Sequence, residues 1–534
     1  MRRPTPFVPA VLPVLTAAIV SAALTLGLAT TAAVADTTEP SQDQSTPRPS
    51  AVPFDEVGET LDRATEALRG SSSNQDNPGS APDPAARERM EATLALRDLF
   101  VSRRSLDEAD ERKAAGLLAR PTDGVSDPYG DGYITSETKA CSTNVCVHWV
   151  RTGVDAPPSD AWAKKTLAMM QQVWRHHIGK LGYRKPAPDG SRGGNAKFDV
   201  YLKELGSRGL YGYCAPEQRV RDKAKQAAGF CVLDDDFARS QFGRAPIDTL
   251  RVTAAHEFFH AIQFAYDFTE DPWLLESTAT WVEERFADDV NDNRTYLKYG
   301  QGARATTPLD LFDGGGFAHY GNWVFWEFLS ARYGNGIVRN VIQRIGTGGD
   351  LPDEYSTQAL KKVLAAKGGL PRVYAAFAAA NTQPRRSYVE GAAFPGVSAV
   401  RELELSSQDS RAEFSTRLNH LTSRTVTFAP SRLRSKKWRL TLRIDAPRRA
   451  AAPAVALLVL RSNGTLQRRT IELDPSGAGS KKVSFSSRRV RSVSVTMASA
   501  STRYRCDSGS GFACEGRPLD NRQRFAVSAS ASRR

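Results

Sequence analysis

The sequence predicts an α+β protein, with a mixed strand-and-helix unit over residues 130–400 and an antiparallel β-sandwich over residues 401–534. Three observations lead there. Between residues 130 and 400, short strand-like runs come first and long helical patterns follow, the order expected when helices segregate from a small sheet. From about Arg401 the apolar period shortens to strict alternation, in about seven runs separated by Gly, Ser, Pro and Asp turns. One of the intervening helical patterns carries His256-Glu257-Phe258-Phe259-His260, an unusual concentration of chemistry in a chain with 7 histidines.

The chain begins Met1-Arg2-Arg3, continues with an uncharged Ala/Leu/Val-rich run, and reaches Ala33-Val34-Ala35 before Asp36. A basic start, an apolar stretch and an A-x-A site describe a secretory signal over residues 1–35, cut after Ala35. The competing reading is an uncleaved anchor, since the apolar run is long. The residues after Arg2-Arg3 do not support a twin-arginine route. Export places the mature chain outside the cytoplasm. Residues 36–85 are rich in Ser, Pro, Asp, Gln and Thr and read as a disordered linker. From residue 86 to about 125, Leu94, Leu96, Leu99, Phe100 and Leu117-Leu118 recur at helical spacing. A small helical element between a signal and a catalytic unit is where an inhibitory prosegment would lie. It has no cysteine, so any latency has to come from covering a cleft.

All 6 cysteines fall after the signal, in local pairs: Cys141 and Cys146, Cys214 and Cys231, Cys506 and Cys514. An even count in an exported chain implies disulfides, and each local pair brackets a turn-like stretch. The formal net charge is +13, and loss of residues 1–35 with Arg2 and Arg3 leaves +11. Much of the excess lies in Arg432–Arg443, Arg448-Arg449 and Arg488–Arg491. Such a surface favours an anionic partner such as the cell envelope. Few aromatics accompany these basic runs, so solvated strand faces are expected and nucleic-acid binding is not.

Within the first unit, strand-like Val145–Val150 precedes a helix from about Pro158 to Leu181. Phe198–Leu202 and Cys231–Leu233 read as strands. A helix from Pro246 to Tyr266 then carries the histidines, and Phe258, Phe259 and Ile262 give it a packing face. Helices are expected over Glu276–Phe286, over Tyr320–Tyr333 continuing to Ile345, and over Thr357–Asn381. The sandwich strands are expected at Thr425–Phe428, Trp438–Ile444, Val455–Leu460, Thr470–Leu473, Val483–Phe485, Val490–Met497 and Phe525–Val527. The sandwich carries no catalytic constellation, so docking or buttressing is its expected role.

Residues i and i+4 share a helix face, so His256 and His260 point the same way. Two neutral imidazoles suit a divalent metal, zinc above all, and Glu257 stands beside that metal as a proton acceptor. The alternative is a solvated or core helix that happens to carry two histidines. A catalytic zinc wants a third protein ligand. Asp234-Asp235-Asp236 offers a calcium-like acidic trio, although three adjacent aspartates also describe a solvated turn. Calcium is therefore possible but has no further support in the sequence.

After the motif the chain reads Trp273-Leu274-Leu275-Glu276-Ser277-Thr278-Ala279-Thr280-Trp281-Val282-Glu283. This resembles the W-L-x-E-x-x-A-x-[YW]-x-E segment of gluzincin zinc peptidases, in particular the aminopeptidase-N-like branch. The resemblance implies a gluzincin catalytic core over residues 130–400 and one zinc per chain, held by His256, His260 and Glu276. Glu283 and Glu284 are fallback ligands that read better as a charged helix face. Fifteen residues separate His260 from Glu276, fewer than the family usually has. A metzincin would need glycine at 263 and histidine at 266, where this chain has Gln263 and Tyr266. Thr280, one turn beyond Glu276, is placed either to bond a ligating histidine or to be an ordinary surface threonine.

The segment His319-Tyr320-Gly321-Asn322-Trp323 is similar to the Y-x-x-G helix whose tyrosine bonds the developing oxyanion in that branch. The family's glycine falls at Trp323. Tyr320 is the first candidate donor and His319 the second, with Tyr296 and Tyr299 behind, and Tyr320 as a mere packing residue the alternative. The G-x-M-x-N strand that binds a substrate's free amino end has no counterpart; Gly229–Phe237 stands in its place, as a strand able to pair with an extended peptide. The chain as a whole also resembles exported metalloproteases. The implied activity is zinc-dependent hydrolysis of internal peptide bonds in a peptide or protein substrate, by a monomer, with Glu257 as general base. Two rival readings are a noncatalytic envelope-binding protein on the same scaffold and a zinc hydrolase of non-peptide amides or esters.

Overall fold

The computed structural model describes residues 54–69, 92–123, 132–313, 316–346 and 354–533. The expected signal and most of the expected linker lie outside them. A helix nevertheless forms inside the linker stretch, α1 (Phe54–Arg69), with Leu61, Ala64 and Leu68 buried at helical spacing. That short apolar stripe is masked in the sequence by the polar composition around it. The helical pattern of residues 86–125 becomes two helices, α2 (Ala92–Ser102) and α3 (Glu108–Leu117). The side chain of Asp107 caps α3 by accepting from the Asp110 amide, which satisfies one of the amides a helix start leaves open.

A five-stranded mixed sheet follows: β1 (Glu137–Cys141), β2 (Val145–Val150), β3 (Phe198–Lys203), β4 (Gly212–Arg219) and β5 (Ala227–Asp234), in the order β1-β2-β3-β5-β4. The parallel pairs β2/β3 and β3/β5 lie in the middle, and β2, β3 and β5 are buried along their whole length. Strands covered on both faces read as continuous apolar runs, which is why these were legible. β1 alternates between exposed and half-buried, and β4 contains Gly212 and Pro216, so neither announces itself in sequence. The interior position of β5 corrects the expectation that Gly229–Phe237 would offer a pairing edge; the free edge belongs to β4. Cys141–Cys146 closes the β1–β2 hairpin and Cys214–Cys231 links β4 to β5 at directly opposed positions.

Helices cover the sheet and form a second layer: α4 (Asp160–Trp174), α5 (Pro246–Asp267), α6 (Pro272–Phe286), α7 (Trp323–Tyr333), α8 (Gly336–Ile345), α9 (Ser356–Ala365) and α10 (Leu370–Ala380). Both α5 and α6 start with proline in the first turn, where a missing amide costs nothing. The single helix expected from Tyr320 to Ile345 is broken, because Gly334 takes a φ of 83° and ends α7. The helix expected over Thr357–Asn381 is likewise two, divided at Gly368 and Gly369, both at positive φ. Only glycine enters that region cheaply.

The C-terminal part is a sandwich of two sheets, β11-β10-β13-β8-β6 and β12-β9-β16-β7. Its strands are β6 (Arg401–Leu405), β7 (Arg411–Leu418), β8 (Thr422–Pro430), β9 (Trp438–Asp445), β10 (Pro453–Arg461), β11 (Leu466–Ile471), β12 (Ala478–Ser484), β13 (Val490–Ser499) and β16 (Gln523–Arg533), with a short pair, β14 (Tyr504–Arg505) and β15 (Arg517–Pro518), beside it. Its pairing is antiparallel except for β6 against β8, which runs parallel, a correction to the all-antiparallel expectation. Val455, Leu457 and Val459 point into the sandwich core, whereas Ala454, Ala456 and Leu458 join the core of the first unit. Strand β10 is thus buried on both faces, and α10 packs across it. The exposed arginines Arg432, Arg434, Arg443, Arg448, Arg449, Arg488, Arg489 and Arg491 lie on solvated faces and turns.

Candidate metal centre

Helix α5 is apolar on nearly every side, with Phe258, Phe259 and Ile262 fully buried, so it runs through the middle of the first unit. Its polar exceptions gather on one face. His256 and His260 stand one turn apart with ring centroids 4.8 Å from each other. Helix α6 packs against α5 and presents Glu276, which is 0 % exposed. Glu276 Oε2 lies 3.3 Å from His256 Nε2, and Glu276 Oε1 lies 3.4 Å from His260 Nε2. The short loop between α5 and α6 thus suffices to bring the acid to both imidazoles.

The donor set fits a divalent metal ion. One ligand atom from each of His256, His260 and Glu276 lies within 4.8 Å of the other two. His260 Nε2 and Glu276 Oε1 are buried and have no hydrogen-bond partner among the described residues. Buried polar atoms are ordinarily paired, and two that face each other unpaired describe a cation's coordination sphere better than a packed core. The opposite sides of the imidazoles are tied down. Glu283 Oε1 lies 2.7 Å from His256 Nδ1, and Gln263 Oε1 lies 2.8 Å from His260 Nδ1. Gln263 is oriented in turn by donating to the Leu275 carbonyl (2.9 Å) and to Thr278 Oγ1 (3.0 Å). Such partners fix the tautomer that leaves Nε2 free for a metal.

These contacts reassign three residues. Thr280 does not reach a histidine; its hydroxyl donates to the Glu276 carbonyl one turn back, as buried helical threonines do. Glu283 is a buried histidine partner rather than part of a charged face. Its signal was present in the sequence, since i and i+7 share a helix face with Glu276. Gln263 was legible in the same way, three residues beyond His260. Glu284 turns elsewhere and accepts from Asn293 Nδ2.

Above this floor lies a cleft lined among others by Thr93, Gly212, His256, Glu257, Glu283 and Tyr320. Burial raises the Glu257 carboxyl above its ordinary value, against the opposing pull of His256 and His260. Burial also pushes Glu283 up to about 7, although His256 beside it acts the other way. For Glu276 burial acts upward too, but His260 and His256 hold it well below the usual carboxylate range. Three acids around two imidazoles make a site that attracts positive charge.

Tyr320 stacks on Tyr296 at 5.0 Å and lies tilted against His319 at 4.6 Å, and its ring lies 6.1 Å from that of His256. Tyr296 lines the cleft with it, whereas Tyr299 packs against Phe317. His319 is 1 % exposed, neither ring nitrogen has a partner among the described residues, and burial pushes it down to about 4. It is a neutral imidazole at neutral pH.

Thr93, on α2, was not foreseen. Its hydroxyl donates to Glu257 Oε2 (3.1 Å) and accepts from the Cys214 amide on the edge strand β4 (3.0 Å). No sequence signal marks it, because 164 residues separate it from Glu257.

No family model and no curated protein sequence matches this chain. Among solved structures, a periplasmic inhibitor of g-type lysozyme from Aeromonas hydrophila aligns at 8% identity and a TM-score of 0.14, covering 25% of this chain and 98% of its own. A surface-associated copper-binding protein from Methylomicrobium album aligns at 9% and 0.16, covering 26% and 99%. A 4-O-methyl-α-glucuronidase specific for decorated arabinogalactans aligns at 9% and 0.14, covering 54% and 38%. Likeness at this level carries no argument about fold or function.

Proposed function

We propose that this chain is an exported zinc-dependent peptidase of gluzincin type that cuts internal peptide bonds. One observation carries the reading: His256, His260 and Glu276 converge from two helices while Glu257 faces the cleft beside them. Bound zinc would supply Lewis acidity and make water a stronger acid at neutral pH. Glu257 accepts the proton of the attacking water and delivers it to the leaving amine. Burial raises its pKa above that of an ordinary carboxylate, which suits that exchange. Tyr320, which lines the cleft, is the first oxyanion donor, and the neutral His319 next to it is the second. Three disulfides using all 6 cysteines suit an oxidising compartment. No amine-binding motif favours an exopeptidase, and the β4 edge offers backbone groups to an extended chain.

Helix α2 lies across that edge, so the form described here reads as latent. The Thr93 hydroxyl takes the Cys214 amide, which an extended substrate would otherwise engage, and also holds the general base. The decisive experiment is chelator-sensitive cleavage of unfolded casein by the purified chain after removal of α2, with zinc content measured in parallel. Stoichiometric zinc without cleavage of casein, peptide libraries or model esters would leave only the noncatalytic reading. Cleavage of esters alone would favour a non-peptide hydrolase.

A further inference from the structure

A second group of oxygen donors lies at the C-terminal ends of β3 and β5. Glu204 follows β3, Asp234 closes β5 and Asp235 comes next; one carboxylate oxygen from each lies within 4.8 Å of the other two. Asp234 is 0 % exposed and Asp235 is 4 % exposed. Asp234 is held by backbone amides: Leu205 (2.9 Å) and Gly206 (2.6 Å) donate to Oδ1, and Phe237 (2.6 Å) and Asp236 (3.3 Å) donate to Oδ2. Glu204 Oε1 accepts from the Ser207 amide (2.6 Å) and from Gln241 Nε2 (2.9 Å).

Asp235 is different. Its Oδ1 is buried and has no hydrogen-bond partner among the described residues, although Asp234, Asp236, Glu204 and Asp155 all press negative charge on it. Lys203 does not relieve it, since its ammonium pairs with Asp155 Oδ2 at 3.2 Å. Gln241 Oε1, beside Glu204, is a second buried oxygen without a partner among the described residues. A buried carboxyl among like charges stays ionised only when paired or coordinated, and oxygen donors without nitrogen or sulfur select a hard cation.

We propose that Glu204, Asp234 and Asp235 bind a calcium-class divalent cation that fixes one wall of the cleft. By accepting the Leu205 and Gly206 amides the Asp234 carboxylate fastens the loop after β3, and the Asp234 backbone amide donates to the Tyr211 carbonyl (3.0 Å). That loop runs on into Gly209–Gly212, which lines the cleft together with His256. The site is independent of the peptidase reading, because it shares no ligand with the histidine centre.

The test is calorimetric titration of Ca2+ into the zinc-loaded full chain after dialysis against calcium-free buffer, alongside thermal unfolding with and without Ca2+. The expected result is one Ca2+ per chain, a raised unfolding midpoint, and an affinity at least tenfold weaker in Asp235→Asn and Glu204→Gln. Glu204 is only half-buried, so Glu204→Gln carries the comparison if Asp235→Asn fails to fold. Absence of saturable Ca2+ binding by the unmodified chain overturns the proposal, as does undiminished affinity in Glu204→Gln. Stabilisation of the calcium-free chain by Asp235→Asn, with no Ca2+ bound, would show instead a carboxyl kept protonated.

Discussion

Glu257 on α5 and Thr280 and Glu283 on α6 stand at or beside the same site and should respond differently to substitution. Glu257→Gln keeps the shape but cannot accept a proton, so turnover should fall by about 10²–10⁴-fold while zinc content stays at one per chain. Retained cleavage, or lost zinc, would sink the assigned role. Glu283→Gln leaves His256 Nδ1 with a weaker partner and should lower zinc affinity by about 10- to 100-fold, read by competition with a fluorescent chelator. Thr280→Ser keeps the bond to the Glu276 carbonyl and should leave both zinc affinity and turnover unchanged. A tenfold loss of zinc affinity there would restore Thr280 as a histidine partner.

At the scale of elements, α2 and the start of α7 decide what the cleft can do. Removal of residues 36–105 takes away Thr93 while retaining Arg120, whose guanidinium bonds Asp189, Asp199 and Glu217 in the buried base of the sheet. Casein cleavage should rise at least tenfold; equal activity with and without the segment would remove the latency reading. The start of α7 depends on a close approach. A Cβ on Gly321 would stand 2.4 Å from the Tyr296 carbonyl oxygen and 2.5 Å from the Gly300 amide nitrogen. Gly321→Ala should therefore cost about 1–3 kcal/mol of stability and displace Tyr320, lowering turnover more than zinc affinity. This close approach accounts for a glycine directly after Tyr320.

The whole molecule is held by contacts that cross between its two units. Asp310 accepts from Tyr504 (2.6 Å) and from the Ala513 amide (3.2 Å), and faces His420 Nε2 at 2.9 Å. The loop closed by Cys506–Cys514 gives the Cys514 amide to Asp271 (2.7 Å), the residue that opens α6 and so aims Glu276. Burial would raise Asp310, but His420 holds it below its ordinary value of 3.8; burial would lower His420, but Asp310 raises it above 6.5. The Asp310 contribution to stability is present above pH 3.8 and fades as pH falls through the lower folded value. The His420 contribution is present below pH 6.5 and fades as pH rises through the higher folded value. Asp310→Ala should cost about 3–5 kcal/mol, most between pH 4 and 6.5, as read from melting curves of both proteins across that range. A pH-independent difference would mean that the pair is not ionised.

Much of this architecture is local and therefore legible along the chain. The buried strands β2, β3 and β5 are apolar runs, α5 and α6 open on prolines, and the sandwich strands alternate; the i, i+4 spacing of His256 and His260 is a property of one helix. The three disulfides join cysteines close in sequence, two of them across adjacent strands. What tertiary structure alone decided are distances between segments far apart in the chain. It set Glu276 over both imidazoles, buried Glu283 against His256, made β4 rather than β5 the open edge, and laid Thr93 between that edge and Glu257. Helix periodicity tells which residues share a face. Which face meets which neighbour depends on how whole layers pack, and no short stretch of sequence records that.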